Sequence, residues 1–130
     1  MEKTANNIII DIKNLKKSFG DQKVLDGVTL QLHENENLVV LGKSGSGKSV
    51  LIKCIVSLLQ HDEGTITVGK HELTDINEED LIEVRKRIGF LFQGAALYDS
   101  MTVRENLTFA LTRLKEKFSK KEITTKIEEA

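Results

Sequence analysis

Several kinds of residue are scarce or missing in this sequence, and each absence narrows what the chain can be. Its 130 residues contain no proline, no tryptophan and a single cysteine, Cys54. One cysteine cannot form an internal disulfide, which fits the reducing conditions of the cytosol. Because Cys54 falls on the apolar face of a predicted helix, we interpret it as a core residue, with a reactive thiol as the alternative.

Long apolar runs and an excess of one charge are also lacking. No stretch approaches the ~20 apolar residues that a membrane-spanning helix needs, and the N-terminus has no signal-peptide pattern. Nineteen basic and twenty acidic side chains leave a formal net charge of −1, without a basic block. This balance argues against nucleic acid as a partner. The length suits one domain or part of one.

One strong motif is present, at residues 42–49. A short apolar run at 38–41 precedes it, and apolar residues at helical spacing follow it from 50 to 59. The motif itself reads Gly42, Lys43, Ser44, Gly45, Ser46, Gly47, Lys48, Ser49. It matches the phosphate-binding pattern G-x-x-x-x-G-K-[ST] in the strand, loop, helix context that the pattern requires. A glycine-rich turn without a ligand is the alternative, but such a turn does not need Gly, Lys and Ser in that order.

The residue types of the loop suit a nucleoside triphosphate. The glycines at 42, 45 and 47 permit backbone conformations in which successive N–H groups face one phosphate. The helix that starts near Ser49 adds the positive end of its dipole. Lys48 would place a cation on the β- and γ-phosphates, and the Ser49 hydroxyl would coordinate a bridging Mg²⁺. Lys43 stands at a variable position of the pattern, and we assign it no specific role.

The remaining patterns predict a mixture of strands and helices. Alternating apolar residues at 8–12 and 28–32 indicate two half-buried, antiparallel strands, with a polar turn at 16–21 between them. A short strand is predicted at 65–68, and a buried strand at 88–92. Phe19, in the predicted turn, is either a core residue or a ring with another role.

Helix starts are marked by capping residues. Asn77 precedes an acidic first turn, and Thr102 and Ser119 each have Glu three residues later. An apolar stripe indicates a helix running from 103 to 118. The basic run at 85–87 suits the end of the helix after Asn77, with anion binding as the alternative. The sequence has three histidines, and none of them belongs to a recognisable motif. We interpret them as surface or turn residues: His33, His61 and His71.

Phe19, the loop at 42–49 and the stretch 85–93 together resemble the ATP-binding subunits of ABC transporters, from about residue 8 to residue 114. The resemblance implies an α/β P-loop NTPase with an antiparallel β-subdomain, part of a core sheet and the start of a helical subdomain. It implies that Phe19 stacks on adenine and that Val24 lines the same base. Gln93 matches the family glutamine that contacts Mg²⁺ and the attacking water, although a polar residue ending a strand is the simpler alternative.

The segment 92–107 and the order Gly-Lys-Ser-Val at 47–50 are similar to the Mla-type branch of this family, whose ATPases drive phospholipid movement between bacterial membranes. This resemblance implies a head-to-tail dimer with a second copy, a membrane permease and substrate-binding lipid-transport subunits. It also implies a peripheral location on the cytoplasmic face of the inner membrane.

The sequence departs from the family after residue 93. No Leu-Ser-Gly-Gly-Gln signature, no apolar strand ending in Asp-Glu and no histidine follows it. We therefore expect residues 1–130 to be the N-terminal part of one nucleotide-binding domain that hydrolyses ATP only within an intact subunit. An unpaired sheet edge is expected as well, with either a paired or strand-exchanged assembly or a longer chain that contains the other half of the sheet. A non-hydrolysing nucleotide-binding module, an ABC ATPase for amino acids or ions, and a small kinase remain alternatives.

Overall fold

The computed structural model describes residues 7–92, 94, 97–113 and 118–129. The chain divides into two compact units, residues 1–90 and residues 91–130. In the part of the chain that the structure describes, the first unit contains a four-stranded sheet and two helices, and the second contains two helices. Among the described residues, no helix is both long and apolar enough to cross a membrane.

The sheet of the first unit is antiparallel throughout. Its strands β1 (Ile8–Phe19), β2 (Gln22–His33), β3 (Glu63–Val68) and β4 (His71–Glu72) lie in the order β2-β1-β3-β4. The prediction of two antiparallel strands is confirmed. The predicted turn at 16–21 was too long, because β1 continues to Phe19 and pairs it with Gln22. Two residues suffice for the connection, since Gly20 adopts a positive φ of 57°.

A glycine permits the close approach of β1 and β3. β1 changes register between Lys13 and Lys16, and Asn14 there has a φ of 50°. Opposite this irregularity, Gly64 adopts a φ of 92°, and a Cβ on it would lie 2.5 Å from the Asn14 carbonyl oxygen. Only glycine fits such a position without displacing backbone.

Helix α1 (Lys48–Ile55) packs against the sheet through Leu51 and Cys54, which join Ile12 and Ile66 in the core. Cys54 is 1% exposed, which agrees with its interpretation as a core residue. Burial raises the pKa of its thiol.

Apolar spacing up to residue 59 predicted a longer helix than the structure contains. α1 ends at Ile55, because Ser57 adopts a φ of 54° and turns the chain away. The Ser57 and Leu58 amides donate to the carbonyl oxygens of Cys54 (3.0 Å) and Lys53 (2.8 Å). This is the Schellman arrangement that closes many helices, with serine at the position where glycine is usual.

Helix α2 (Glu78–Lys86) begins as predicted, with the Asn77 side chain accepting from the Asp80 amide at 2.9 Å. The basic residues in the last turn of α2 were attributed to the helix dipole, but one of them has a second role. Arg85 donates from Nη2 to the Ser57 carbonyl oxygen at 2.7 Å, so it supplies a partner at the C-terminal end of α1.

The two apolar runs predicted as core strands do not form strands among the described residues. In the run at 38–41, Val39 is 73% exposed and Leu41 is 87% exposed. The described structure has no strand at residues 88–92 either, and Leu91 is exposed. A strand exists only when a neighbouring backbone pairs with its N–H and C=O groups in a ladder, so apolar composition alone does not produce one.

The second unit contains helices α3 (Val103–Thr112) and α4 (Lys120–Glu129). Both predicted capping boxes are present: Thr102 with Glu105, and Ser119 with Glu122. The apolar stripe was predicted to continue through Leu114 to Phe118. Leu114 lies outside the described residues, and Phe118 precedes α4 rather than ending α3.

Candidate nucleotide-binding loop

The loop at 42–49 owes its shape to glycine. Gly45 and Gly47 adopt positive φ angles of 78° and 91°, which side-chain-bearing residues rarely reach. Gly47 is also the N-cap of α1 and supplies no side-chain acceptor to the first helical turn. The amides at the start of α1 therefore lack the oxygen that a Ser or Asp cap would provide, as an anion-binding helix terminus requires.

Gly47 is held against strand β2. It is buried, and a Cβ on it would lie 2.9 Å from the Val24 carbonyl oxygen and 3.0 Å from Val24 Cγ1. Any larger residue would have to push the helix start away from the sheet. The structure therefore brings Val24, predicted to line the base, directly against the loop at 42–49.

The Lys48 side chain folds back into the loop. Its Nζ donates to the carbonyl oxygens of Gly42 and Lys43, both at 2.7 Å, and to Ser46 Oγ at 3.3 Å. These three bonds use all three hydrogens of the ammonium group. A Cβ on Gly42 would collide with Ser46 Oγ, so the loop can bring residues 42 and 46 this close only because residue 42 has no side chain. The cation thus lies within the loop that was predicted to surround phosphate.

The other polar residues of the loop face outward. Lys43 and Ser44 are exposed, as is Ser49, the second residue of α1. Because Ser49 lies in the first turn of α1, its hydroxyl oxygen is beside the helix N-terminus that has no side-chain cap. A hydroxyl oxygen is a ligand type that suits Mg²⁺. The other predicted metal ligand, Gln93, lies outside the described residues. Coordination of a metal by these two residues stays a prediction.

Phe19 is not a core residue. It is 49% exposed and lies at the hairpin end of β1, opposite Gln22. Val24 follows Gln22 by two residues, or about 7 Å along a strand, and contacts Gly47. The hairpin therefore connects the ring to the loop through one short stretch of β2. Stacking of the ring on a base stays a prediction.

Two residues around Phe19 have contacts that were not predicted. The Lys17 ammonium lies over the Phe19 ring, 5.5 Å from its centroid, and forms an ion pair with Asp62 at 2.6 Å. The available signal was the spacing Lys-x-Phe, which in a strand gives neighbouring side chains. Assigning residues 16–21 to a turn concealed it.

The histidines do not gather into a site. His33 Nδ1 lies 3.1 Å from Glu36 Oε2, and His71 Nδ1 lies 4.0 Å from Asp80 Oδ1. His61 Nε2 is buried without a hydrogen-bond partner. Within the described ranges, no cluster of three or more His, Cys, Asp or Glu side chains could hold a metal ion.

With this geometry established, comparison with known proteins identifies the family. Residues 25–130 match the family model described as ABC transporter. The chain belongs to the ABC transporter family.

Two curated relatives are each 38% identical to the chain over the residues that align. The methionine import ATP-binding protein MetN of Clostridium tetani aligns over 121 residues, which are 93% of this chain and 37% of that protein. The chloroplastic protein TRIGALACTOSYLDIACYLGLYCEROL 3 of Arabidopsis thaliana aligns over 107 residues, 82% of this chain and 30% of that protein. The chain therefore spans about a third of the length of these relatives.

A solved structure confirms the fold class. The ATP-binding cassette MJ0796, solved as a dimer in a post-hydrolysis state bound to ADP and Pi, superposes with a TM-score of 0.79 at 28% identity. The match covers 92% of this chain and 54% of that one. The chain has the P-loop NTPase fold of ABC ATPases, with the antiparallel sheet that was predicted.

Proposed function

We propose that this chain binds ATP through the loop at 42–49 and belongs to an ATPase that drives transport across a membrane. The observation that carries the proposal is the Lys48 ammonium group inside the loop, next to a helix terminus that has no side-chain cap. The family membership and the ADP and Pi bound in MJ0796 support it.

The proposed binding step exchanges partners at Lys48. Its three hydrogen bonds go to neutral oxygens, two of them carbonyls. Phosphate oxygens carry full negative charge and form stronger, charge-assisted bonds with the same ammonium group. Lys48 would therefore move from the loop carbonyls to the β- and γ-phosphates, while the open amides at the start of α1 face the same anion.

The start of α1 also offers a ligand for the metal that accompanies ATP. Ser49 would hold Mg²⁺ through its exposed hydroxyl, and Gln93 is proposed as the second ligand. Bound Mg²⁺ neutralises charge on the phosphates. Val24, which contacts Gly47, and the exposed ring of Phe19 would bind the adenine end of the nucleotide.

Hydrolysis needs an oriented water molecule as well as a phosphate clamp. Residues 94–130 contain no signature motif, no Asp-Glu after an apolar strand and no histidine. We propose that the carboxylate that polarises the attacking water lies outside this chain, and that residues 1–130 form part of one nucleotide-binding domain that binds ATP without turnover. Steady phosphate release that depends on Lys48 in the 130-residue chain would contradict this.

The proposed partners are a second copy of the ATPase and a membrane permease, on the cytoplasmic face of the membrane. The dimeric state of MJ0796 supports the first. Phospholipid is the proposed cargo, supported by the similarity of 92–107 to the Mla-type branch and by a relative named for a galactolipid. Methionine is the second candidate, because MetN matches at the same identity over more of the chain. Stimulation of the reconstituted transporter ATPase by phospholipid, or instead by methionine, discriminates between them.

The test of nucleotide binding is Lys48→Ala, measured with a fluorescent ATP analogue. Hydrogen bonds to charged groups are worth roughly 1.5–3 kcal/mol, so we expect affinity to fall about 10- to 100-fold. The matched control is Lys43→Ala, which removes an exposed lysine of the same loop and should leave affinity within about twofold. Equal affinity for wild type and Lys48→Ala, with the fold intact by circular dichroism, would contradict the proposal.

A further inference from the structure

One acidic residue holds the end of β1 at three consecutive positions. Asp62 Oδ1 accepts from Lys17 Nζ at 2.6 Å, and Asp62 Oδ2 accepts from the Ser18 amide at 2.6 Å. The Asp62 amide itself donates to the Lys16 carbonyl oxygen at 2.9 Å. The next residue along the strand is Phe19. The backbone immediately before the ring is therefore fixed by a single side chain and its own main chain.

The same carboxylate fixes what lies over the ring. Lys17 is 14% exposed in its side chain, which is low for a lysine, and its ammonium group lies over the Phe19 ring, 5.5 Å from the centroid. A cation in this position is attracted by the negative face of the aromatic ring. Because Asp62 holds the ammonium group, one face of the ring is covered while Phe19 as a whole remains half exposed.

An ion pair that only ties β1 to the chain at the start of β3 does not require this arrangement. The neighbouring pair Lys16–Glu63 already joins the same two stretches at 2.7 Å. The Lys17–Asp62 pair differs from it in two ways: Lys17 lies over an aromatic ring, and Asp62 also binds the backbone that carries that ring. Both differences concern the orientation of Phe19.

Asp62 also connects the ring to the phosphate loop by a second route. The loop continues into α1, and the chain that leaves α1 at Ser57 reaches Asp62 five residues later. The first route runs through β2, from Gln22 to Val24 and Gly47. The ring is thus fixed relative to the loop from both sides, as a bound nucleotide with a base at one end and phosphates at the other would need.

We propose that Asp62 and Lys17 are positioning residues that hold Phe19 as a one-sided stacking platform for the purine base of the nucleotide. This inference rests on the proposed function. The Lys17 cation occupies one face of the ring, and the base takes the other. Substitution of either residue should therefore affect recognition of the base and leave recognition of the phosphates unchanged.

The experiment compares ATP with inorganic tripolyphosphate, each with Mg²⁺, by isothermal titration calorimetry on the full chain. Stacking of a base on an aromatic ring contributes to affinity, as it does in complexes with single-stranded nucleic acids. We expect Asp62→Asn and Lys17→Met to weaken ATP about 3- to 10-fold and tripolyphosphate less than about twofold. Lys17→Arg, which keeps a cation able to stack and to pair with Asp62, should restore ATP affinity to within about twofold of wild type.

Two controls separate positioning from stability. Lys16→Met removes the neighbouring ion pair and should leave the ratio of the two affinities unchanged. In a Phe19→Ala background, Asp62→Asn should have no further effect on ATP, because the group it positions is gone. Two results would overturn the inference. One is that Asp62→Asn weakens ATP and tripolyphosphate by the same factor, and the other is that Asp62→Asn still weakens ATP when Phe19 is already alanine.

Failure of the proposed function gives a different result. If Phe19→Ala weakens ATP and Asp62→Asn does not, only the positioning role is wrong. If Lys48→Ala changes neither ligand, the loop is not the phosphate site, and both proposals are wrong.

Discussion

The antiparallel sheet and the apolar run at 38–41 differ in how they obtain hydrogen-bond partners. β1 finds its partner β2 across a two-residue turn, and together with β3 it buries Ile12, Leu15 and Ile66 completely. The run at 38–41 is just as apolar, yet Leu41 is 87% exposed and no strand forms there in the described structure. Apolar composition therefore does not make a strand: a partner backbone within reach does.

This comparison predicts that two similar side-chain truncations will differ greatly in their effect on the free energy of unfolding. Ile66→Ala removes a fully buried side chain from the sheet, and we expect the free energy of unfolding to fall by about 3–4 kcal/mol. Val39→Ala removes a side chain that is already 73% exposed, and should change it by less than about 0.5 kcal/mol. Urea denaturation monitored by circular dichroism measures both. Similar losses would show that the run at 38–41 is packed in solution.

A second prediction concerns the backbone of the sheet rather than its side chains. Gly64→Ala would place a Cβ 2.5 Å from the Asn14 carbonyl oxygen and 2.6 Å from that of Lys13, at a φ of 92°. We expect the free energy of unfolding to fall by about 3 kcal/mol, measured by the same urea denaturation. Gly69→Ala is the matched control, because Gly69 also has a positive φ but nothing within 4 Å of its Cβ position. Its loss should be about 1 kcal/mol; equal losses would mean that β1 and β3 move apart easily.

The smallest predicted effect is the contribution of Asp62 to the pH dependence of stability. Hydrogen bonds from the Lys17 side chain and the Ser18 amide lower the pKa of Asp62 below its ordinary value. A carboxylate with a depressed folded pKa stabilises the fold above its ordinary pKa, near 4, and this contribution is lost as pH falls through the lower folded value.

Urea denaturation between pH 6 and pH 3 measures this effect. The loss of stability with acid should be smaller in Asp62→Asn than in wild type, and unchanged in Asp21→Asn, which alters an exposed residue of the hairpin turn. Identical acid profiles for Asp62→Asn and wild type would show that the contacts of Asp62 do not persist in solution.

Features encoded by neighbouring residues were predictable. The capping boxes at Thr102 and Ser119, the N-cap at Asn77 and the buried position of Cys54 follow from spacings of a few residues, and all are present. The phosphate loop motif is equally local, and the P-loop fold that it implies is confirmed.

Features formed by residues distant in sequence were not predictable. Arg85 binds the Ser57 carbonyl, 28 residues earlier, and Asp62 binds Lys17, 45 residues earlier. No spacing rule connects such pairs, because their distance depends on how α1, α2 and the sheet pack. The length of β1 was also missed, since strand ends depend on pairing rather than on composition.

By itself, the sequence determined the glycine-shaped loop, the helix starts and the core position of Cys54 on α1, because backbone conformation and apolar periodicity act within a few residues. Only the tertiary structure decided which apolar runs became strands, where the Lys48 ammonium lies and what holds the ring of Phe19. Those outcomes need backbone partners and charges brought together from distant positions, and folding alone supplies them.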